Sequence, residues 1–120
     1  LKHFAKYNGK GCAVLQSDVI VYDSHIFGFH KGKYPAYIQS NKPFPHFRDA
    51  NKDNKADETG KVYTDRIGAN CHHAGVWSTA IGGWSVACLV RNRLDEWNQW
   101  FKLMTKKGRK PLTVVILKEF

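Results

Sequence analysis

Short apolar runs rich in β-branched residues, bounded by polar residues, recur along the chain as CAVLQ, DVIVYD, YPAYIQ, RIGANCHH, WSVACLVR and LTVVILKEF. Each predicts a strand. One segment follows another period: Leu94, Trp97, Phe101 and Met104 recur at spacings of three and four, which predicts a helix near 93–106. Asn92 is its expected N-cap and Gly108 the residue past its last turn. Between the third and fourth strand runs lies SNKPFPHFRDANKDNKADETG, which holds two prolines and many turn formers. It predicts a long functional loop interrupting a sheet. The expected fold class is mainly β, a β-rich α+β domain with one packed helix, spanning 1–120 as a single unit.

Composition narrows the function classes. At 120 residues and 42% hydrophobic content the chain can bury one core but not two. No apolar run is long enough to cross a bilayer, so no membrane span is expected, and LKHFAKYNGK lacks the apolar block of a secretion signal. Three cysteines, Cys12, Cys71 and Cys88, leave at least one thiol unpaired. That suits a reducing compartment at synthesis. A formal charge of +9 attracts polyanions: nucleic acid, anionic lipid or a bacterial envelope.

The stretch NCHHAGVWSTAIGGWSVAC, from Asn70 to Cys88, concentrates the candidate chemistry. A zinc site would draw on Cys71, on His72 or His73, and on Cys88, since thiolate and imidazole suit zinc. The spacing argues against that set, because on a strand Cys71 and His73 share one side while His72 faces the other. A nucleophilic site asks for less: one thiol, one imidazole and converging main-chain amides. Gly82 and Gly83 supply backbone freedom for such amides, and a neighbouring imidazole is expected to lower the Cys88 pKa. The competing reading is that a cysteine here is a small buried hydrophobe.

The segments GANCHHAG and GGWSVACLV resemble the His…Ser-x-Gly-Cys signature of the L,D-transpeptidase (YkuD-like) catalytic domain family, and most nearly its small phage and bacterial branch. FHKGKYPAYIQ at Phe29 to Gln39, FRDANKDNKAD at Phe47 to Asp57 and the closing LTVVILKEF extend the resemblance from about Phe27 onward. It implies a mixed β-sheet or sandwich and an enzyme that forms a thioester with a peptidoglycan stem peptide. By position Cys88 matches the nucleophile and His72 its activating histidine, which in this family is oriented by a backbone carbonyl. Ser85 matches the serine that fixes the turn, and the amides of Ala87 and Cys88 are the oxyanion-hole candidates. His30, Tyr34, His73, Gly83 and Trp84 fall where substrate would lie. The competing reading for His30 is a strand-end surface histidine, and for Tyr34 and Trp84 it is core packing. Ala87 replaces the motif glycine, and at positive φ its methyl would cost about 1 kcal/mol. His73 and Leu89 replace the usual arginine and glutamine.

No cofactor is required by this chemistry. Calcium is a further expectation, because Asp49, Asn51, Asp53, Lys55 (through its carbonyl) and Asp57 fall at positions one, three, five, seven and nine of a calcium loop. Gly60 at position twelve lacks the bidentate carboxylate, which favours a solvated acidic turn with Asx hydrogen bonds.

The expected partners are peptidoglycan stem peptides and the anionic cell envelope, met through Lys31, Lys33, Lys102, Lys106, Lys107, Arg109 and Lys110. Hydrolysis is expected over crosslinking, since the chain reads without an anchor or wall-targeting module. The expected setting is synthesis in a host cytoplasm and action at the bacterial wall or periplasm, or carriage on a phage particle. Two alternatives stand beside it: a noncatalytic wall-binding or virion structural module on the same fold, and a basic nucleic-acid-binding protein. The last is disfavoured because the aromatics of the predicted helix are spent on its apolar side.

Overall fold

A computed structural model describes residues 11–53, 55–75 and 88–118. In chain order the elements are β1 (Ala13–Leu15), β2 (Ile20–His30), β3 (Tyr34–Gln39), β4 (His46–Arg48), β5 (Cys71–His73), β6 (Leu89–Arg91), α1 (Leu94–Thr105) and β7 (Leu112–Val115). Five strands form one sheet in the order β6-β5-β3-β2-β7, and β1 pairs with β4 separately. All pairings are antiparallel except β5 with β6, which run parallel. The result is the β-rich α+β class, with one helix among the described residues.

Two backbone irregularities shape this sheet. The register of β2 against β7 shifts between Val21 and His25, where Asp23 takes a φ of 50°. A bulge of this kind re-aims side chains: Ser24 and His25, though adjacent, are both fully buried. At the other end of β2, Lys31 and Gly32 adopt φ values of 52° and 68°, and the Lys33 amide donates to the His30 carbonyl at 3.0 Å. This tight link to β3 fixes His30 at the strand end.

Strand alternation then divides the sheet into two faces. Phe27 and Tyr37 are cross-strand partners, and α1 covers them. Tyr37 meets Trp100 and Phe101 edge to face at 5.9 and 5.7 Å, while Trp97 stacks on Phe101 at 5.3 Å. Tyr37 and Trp97 are 0% and 3% exposed. Aromatic burial of this density supplies most of the cohesion between helix and sheet. The opposite face carries Gly28 opposite Ala36, with the Ile38 side chain packed over Gly28 and His72 on the same side.

The helix agrees with the 93–106 expectation, but its cap does not. The cap position is Arg93, in extended conformation and without a side-chain cap bond. Arg93 instead pairs with Asp95 at 2.7 Å and Glu96 at 3.3 Å, so first-turn acids carry the end. The expected loop at 40–60 contains β4, because His46 also bridges to Tyr63 and gives that run a partner its prolines obscured. LTVVILKEF stops as a strand at Val115, where the Ile116 carbonyl turns to accept the Asp18 amide at 2.7 Å.

Trp97→Ala should lower unfolding stability by about 3–5 kcal/mol, measured by chemical denaturation. A loss below about 1 kcal/mol would contradict the packing described.

Candidate active site

The parallel pairing of β5 and β6 sets the site. Cys71 is level with Leu89, His72 with Val90 and His73 with Arg91, and the Leu89 amide donates to the Asn70 carbonyl at 2.8 Å. Cys88 therefore enters β6 beside Asn70, two residues short of the level of His72. Strand β5 sits next to β3, and β3 next to β2, so His30 at the end of β2 reaches the same place. The His30 and His72 rings stack at 4.0 Å with 20° between their planes. One ring nitrogen from each, together with Cys88 Sγ, lie within 4.8 Å of one another.

Hydrogen bonds assign the histidine tautomers. His72 Nδ1 lies 2.8 Å from the His73 carbonyl, which can only accept, so Nδ1 carries the proton and Nε2 the lone pair. That Nε2 is buried without a hydrogen-bond partner, in a residue only 3% exposed. Asn70 orients the second ring. Its Oδ1 accepts the Gln39 amide at 2.9 Å, which turns its Nδ2 toward His30 Nδ1 at 3.2 Å. His30 Nδ1 is thus an acceptor as well. The Cys88 thiol donates to the Gly68 carbonyl at 3.5 Å.

Burial sets the protonation states. It lowers the pKa of His72, opposed by the bond to the His73 carbonyl. It also lowers that of His30, with His72 and Lys31 acting in the same direction. Burial pushes the Cys88 thiol up, against smaller help to the thiolate from the Asn70 amide and the Lys31 ammonium. The lowered thiol pKa expected from the sequence is therefore corrected. Desolvation outweighs the imidazole, because the imidazole is itself held neutral. The resting site is a neutral thiol beside two neutral rings.

The remaining sequence candidates fall elsewhere. Cys71 and His73 point to the helix face, where His73 lies 6.0 Å from Trp97 and 5.9 Å from Tyr34. By strand alternation His73 lies across the sheet from His72; Tyr34 is the exception, being the cross-strand partner of His30 while it also meets His73 edge to face. The Cys71 thiol is pushed up to about 11 by burial, as befits a packed group. Gly82, Gly83, Trp84, Ser85 and Ala87 lie outside the described residues.

The acidic loop serves its own backbone: Asn51 Oδ1 accepts the Asp53 amide at 3.3 Å, and Asp53 Oδ1 accepts the Lys55 amide at 2.9 Å. Asp49 is buried and Asp57 exposed. Among the described residues, the only group of three metal-ligating side chains is His30, His72 and Cys88. The carboxylates of Asp49, Asp53 and Asp57 form no such group, and the Asx bonds of Asn51 and Asp53 are those of a solvated turn. A cavity of about 520 Å³ lined by Val14, Ser17, Glu58 and Lys118 includes none of the three residues.

Two residues of the site escaped the sequence reading. Asn70 orients His30, and Lys31 supplies the nearby positive charge. Asn70 belongs to the GANCHHAG segment and Lys31 adjoins His30, but only strand pairing reveals their roles. Comparisons with protein-family models, with curated proteins and with solved structures give no match.

Two outcomes follow. His25, His30 and His72 all have lowered pKa values, chiefly from burial. Below the ordinary value of 6.5 the unfolded chain binds protons that the folded chain resists, so stability decreases as the pH is lowered. The thermal midpoint should drop between about pH 7 and pH 5; a rise over that interval would contradict the assignment. Alkylation of Cys88 by iodoacetamide, followed by peptide mass analysis, should keep accelerating beyond the pH at which a free thiol levels off, whereas a plateau near neutrality would mean a stabilised thiolate.

Proposed function

We propose that the chain is a cysteine-dependent enzyme acting through a thioester on peptidoglycan stem peptides, as the resemblance to L,D-transpeptidase domains implies. One observation carries the reading: a thiol lies beside an imidazole whose Nδ1 is tied to a main-chain carbonyl and whose buried Nε2 has no partner. A base is useful when its lone pair is presented without competition and its ring cannot swing away.

The neutral pair dictates the order of events. Cys88 Sγ attacks the stem-peptide carbonyl carbon while its proton passes to His72 Nε2, so no free thiolate has to exist in the buried site. His72 then returns the proton to the leaving amine nitrogen, and the C–N bond breaks to leave the acyl group on sulfur. Water or an amine attacks the thioester carbon, gives its proton to His72, and the C–S bond breaks. The separation within 4.8 Å closes by rotation of the thiol away from the Gly68 carbonyl; catalytic hydrogen bonds commonly tighten only with substrate bound.

The surface fits an anionic wall. Lys31, Lys33, Lys102, Lys106, Lys107, Arg109 and Lys110 are all exposed, which favours encounter with polyanionic envelope polymers. No helix among the described residues is long and apolar enough to cross a membrane.

Purified muropeptides incubated with wild type and with Cys88→Ala supply the test, read by mass analysis. Gain of water marks cleavage and loss of water marks ligation, and Cys88→Ala should show neither. His72→Ala should slow the reaction by about 10²–10⁴-fold. Identical products from wild type and Cys88→Ala would defeat the proposal, as would no product from either.

A further inference from the structure

We propose that His30, His72 and Cys88 form a zinc-binding site with three protein ligands and an open fourth position. Three separate features support it. The donor set, two imidazoles and one thiol, is the kind zinc favours, and three protein ligands with one open position is the pattern of reactive zinc sites. The three donor atoms come from three separate strand segments yet gather within 4.8 Å. Both rings also carry an acceptor nitrogen: His72 Nε2 is buried and without a partner, and His30 Nδ1 has a 3.2 Å contact from Asn70.

Ligation requires the two rings to splay from their stack, because lone pairs in planes only 20° apart do not converge on one tetrahedral centre. Zinc bonds of about 2.0–2.1 Å to nitrogen and about 2.3 Å to sulfur place tetrahedral donors roughly 3.3–3.6 Å apart. A tilt of the two stacked rings and rotation of the Cys88 thiol from the Gly68 carbonyl supply the contraction. His30 Nδ1 exchanges its Asn70 contact for the metal. The outer shell is already in place, since His72 Nδ1 donates to the His73 carbonyl, the partner that ligating histidines use to fix their ring. His30 and Cys88 are only half-buried, which gives an ion a route in. The set differs from that considered in the sequence, because Cys71 faces the helix and His30 takes its place.

Zinc held here occupies the sulfur and the His72 lone pair together. On the thioester reading, the filled site is catalytically silent until the metal leaves. Binding itself does not depend on that reading.

The test uses the full chain freed of metal, titrated with zinc against a chromophoric chelator and with cobalt(II) for its absorption spectrum. One equivalent of zinc should bind, with a thiolate-to-cobalt charge-transfer band in the near ultraviolet. His30→Phe, which keeps a ring on His72, and Cys88→Ser should each lose more than about tenfold in affinity, since loss of even an outer-shell partner costs about 10–100-fold. Cys71→Ala should bind as wild type does. Failure to bind zinc, binding unchanged in both His30→Phe and Cys88→Ser, or a cobalt complex without the thiolate band would overturn the site. Circular dichroism of each variant separates lost ligation from lost fold, and the wild-type cobalt band decides the matter if a variant unfolds. Muropeptide turnover by the metal-free protein is read separately. Turnover without zinc binding sinks the metal site alone, and zinc binding without turnover leaves the metal site standing while the thioester reading falls.

Discussion

The parallel register of β5 against β6 is the constraint on which the site depends. Parallel neighbours cannot be joined by a tight turn, so the chain leaves β5 after His73 and returns at Cys88. The return is held by the Leu89 amide on the Asn70 carbonyl and the Ala74 amide on the Arg91 carbonyl, each at 2.8 Å. These bonds fix the distance along the strands between sulfur and imidazole. A one-residue slip would move His72 to the helix face and His73 to the site. Because His73 packs against Trp97 on the helix face, the aromatic core opposes that slip. Packing on one face thereby fixes the chemistry on the other.

Much of this architecture is legible in the sequence. The three-and-four spacing of Leu94, Trp97, Phe101 and Met104 locates the helix because its apolar side faces one layer of the sheet. YPAYIQ is read to the residue, since both of its neighbours are antiparallel and its pattern stays regular. The opposed faces of Cys71 and His72 follow from strand alternation alone. What fails to show is long-range pairing. His46–Arg48 looks like loop until Ala13–Leu15 and Tyr63 supply partners, and Asn92 looks like a cap until Arg93 adopts that position and pairs with the first-turn acids. His30 stands far from His72 in sequence, and two intervening strand pairings bring them together. No local periodicity encodes such a meeting.

The electrostatics also depend on tertiary burial. An imidazole beside a thiol, considered in water, suggests an ion pair with a lowered thiol pKa. In the folded chain desolvation penalises both charged partners; the Lys31 ammonium is too small an influence to reverse it at the thiol and adds to it at His72. The same burial that disfavours a resting thiolate protects the His72 lone pair from solvent hydrogen bonds. A weaker resting nucleophile is therefore joined to a better-presented base, which places the proton transfer inside the attack step.

Both proposed fates of the sulfur answer that desolvation. In a site of low dielectric a lone thiolate is costly, but a thiolate whose charge is taken up by a bond is not. A carbonyl carbon takes it up by forming a thioester, with the proton passed to His72. A divalent cation takes it up by coordination and deprotonates the thiol outright. Each route consumes the same two lone pairs, on Cys88 Sγ and His72 Nε2, so the routes exclude one another at any moment. His30 distinguishes them physically: acyl transfer needs its ring as a wall that keeps His72 in place, whereas metal binding needs the nitrogen itself. Replacing that nitrogen while keeping the ring therefore separates two functions that share every other atom of the site.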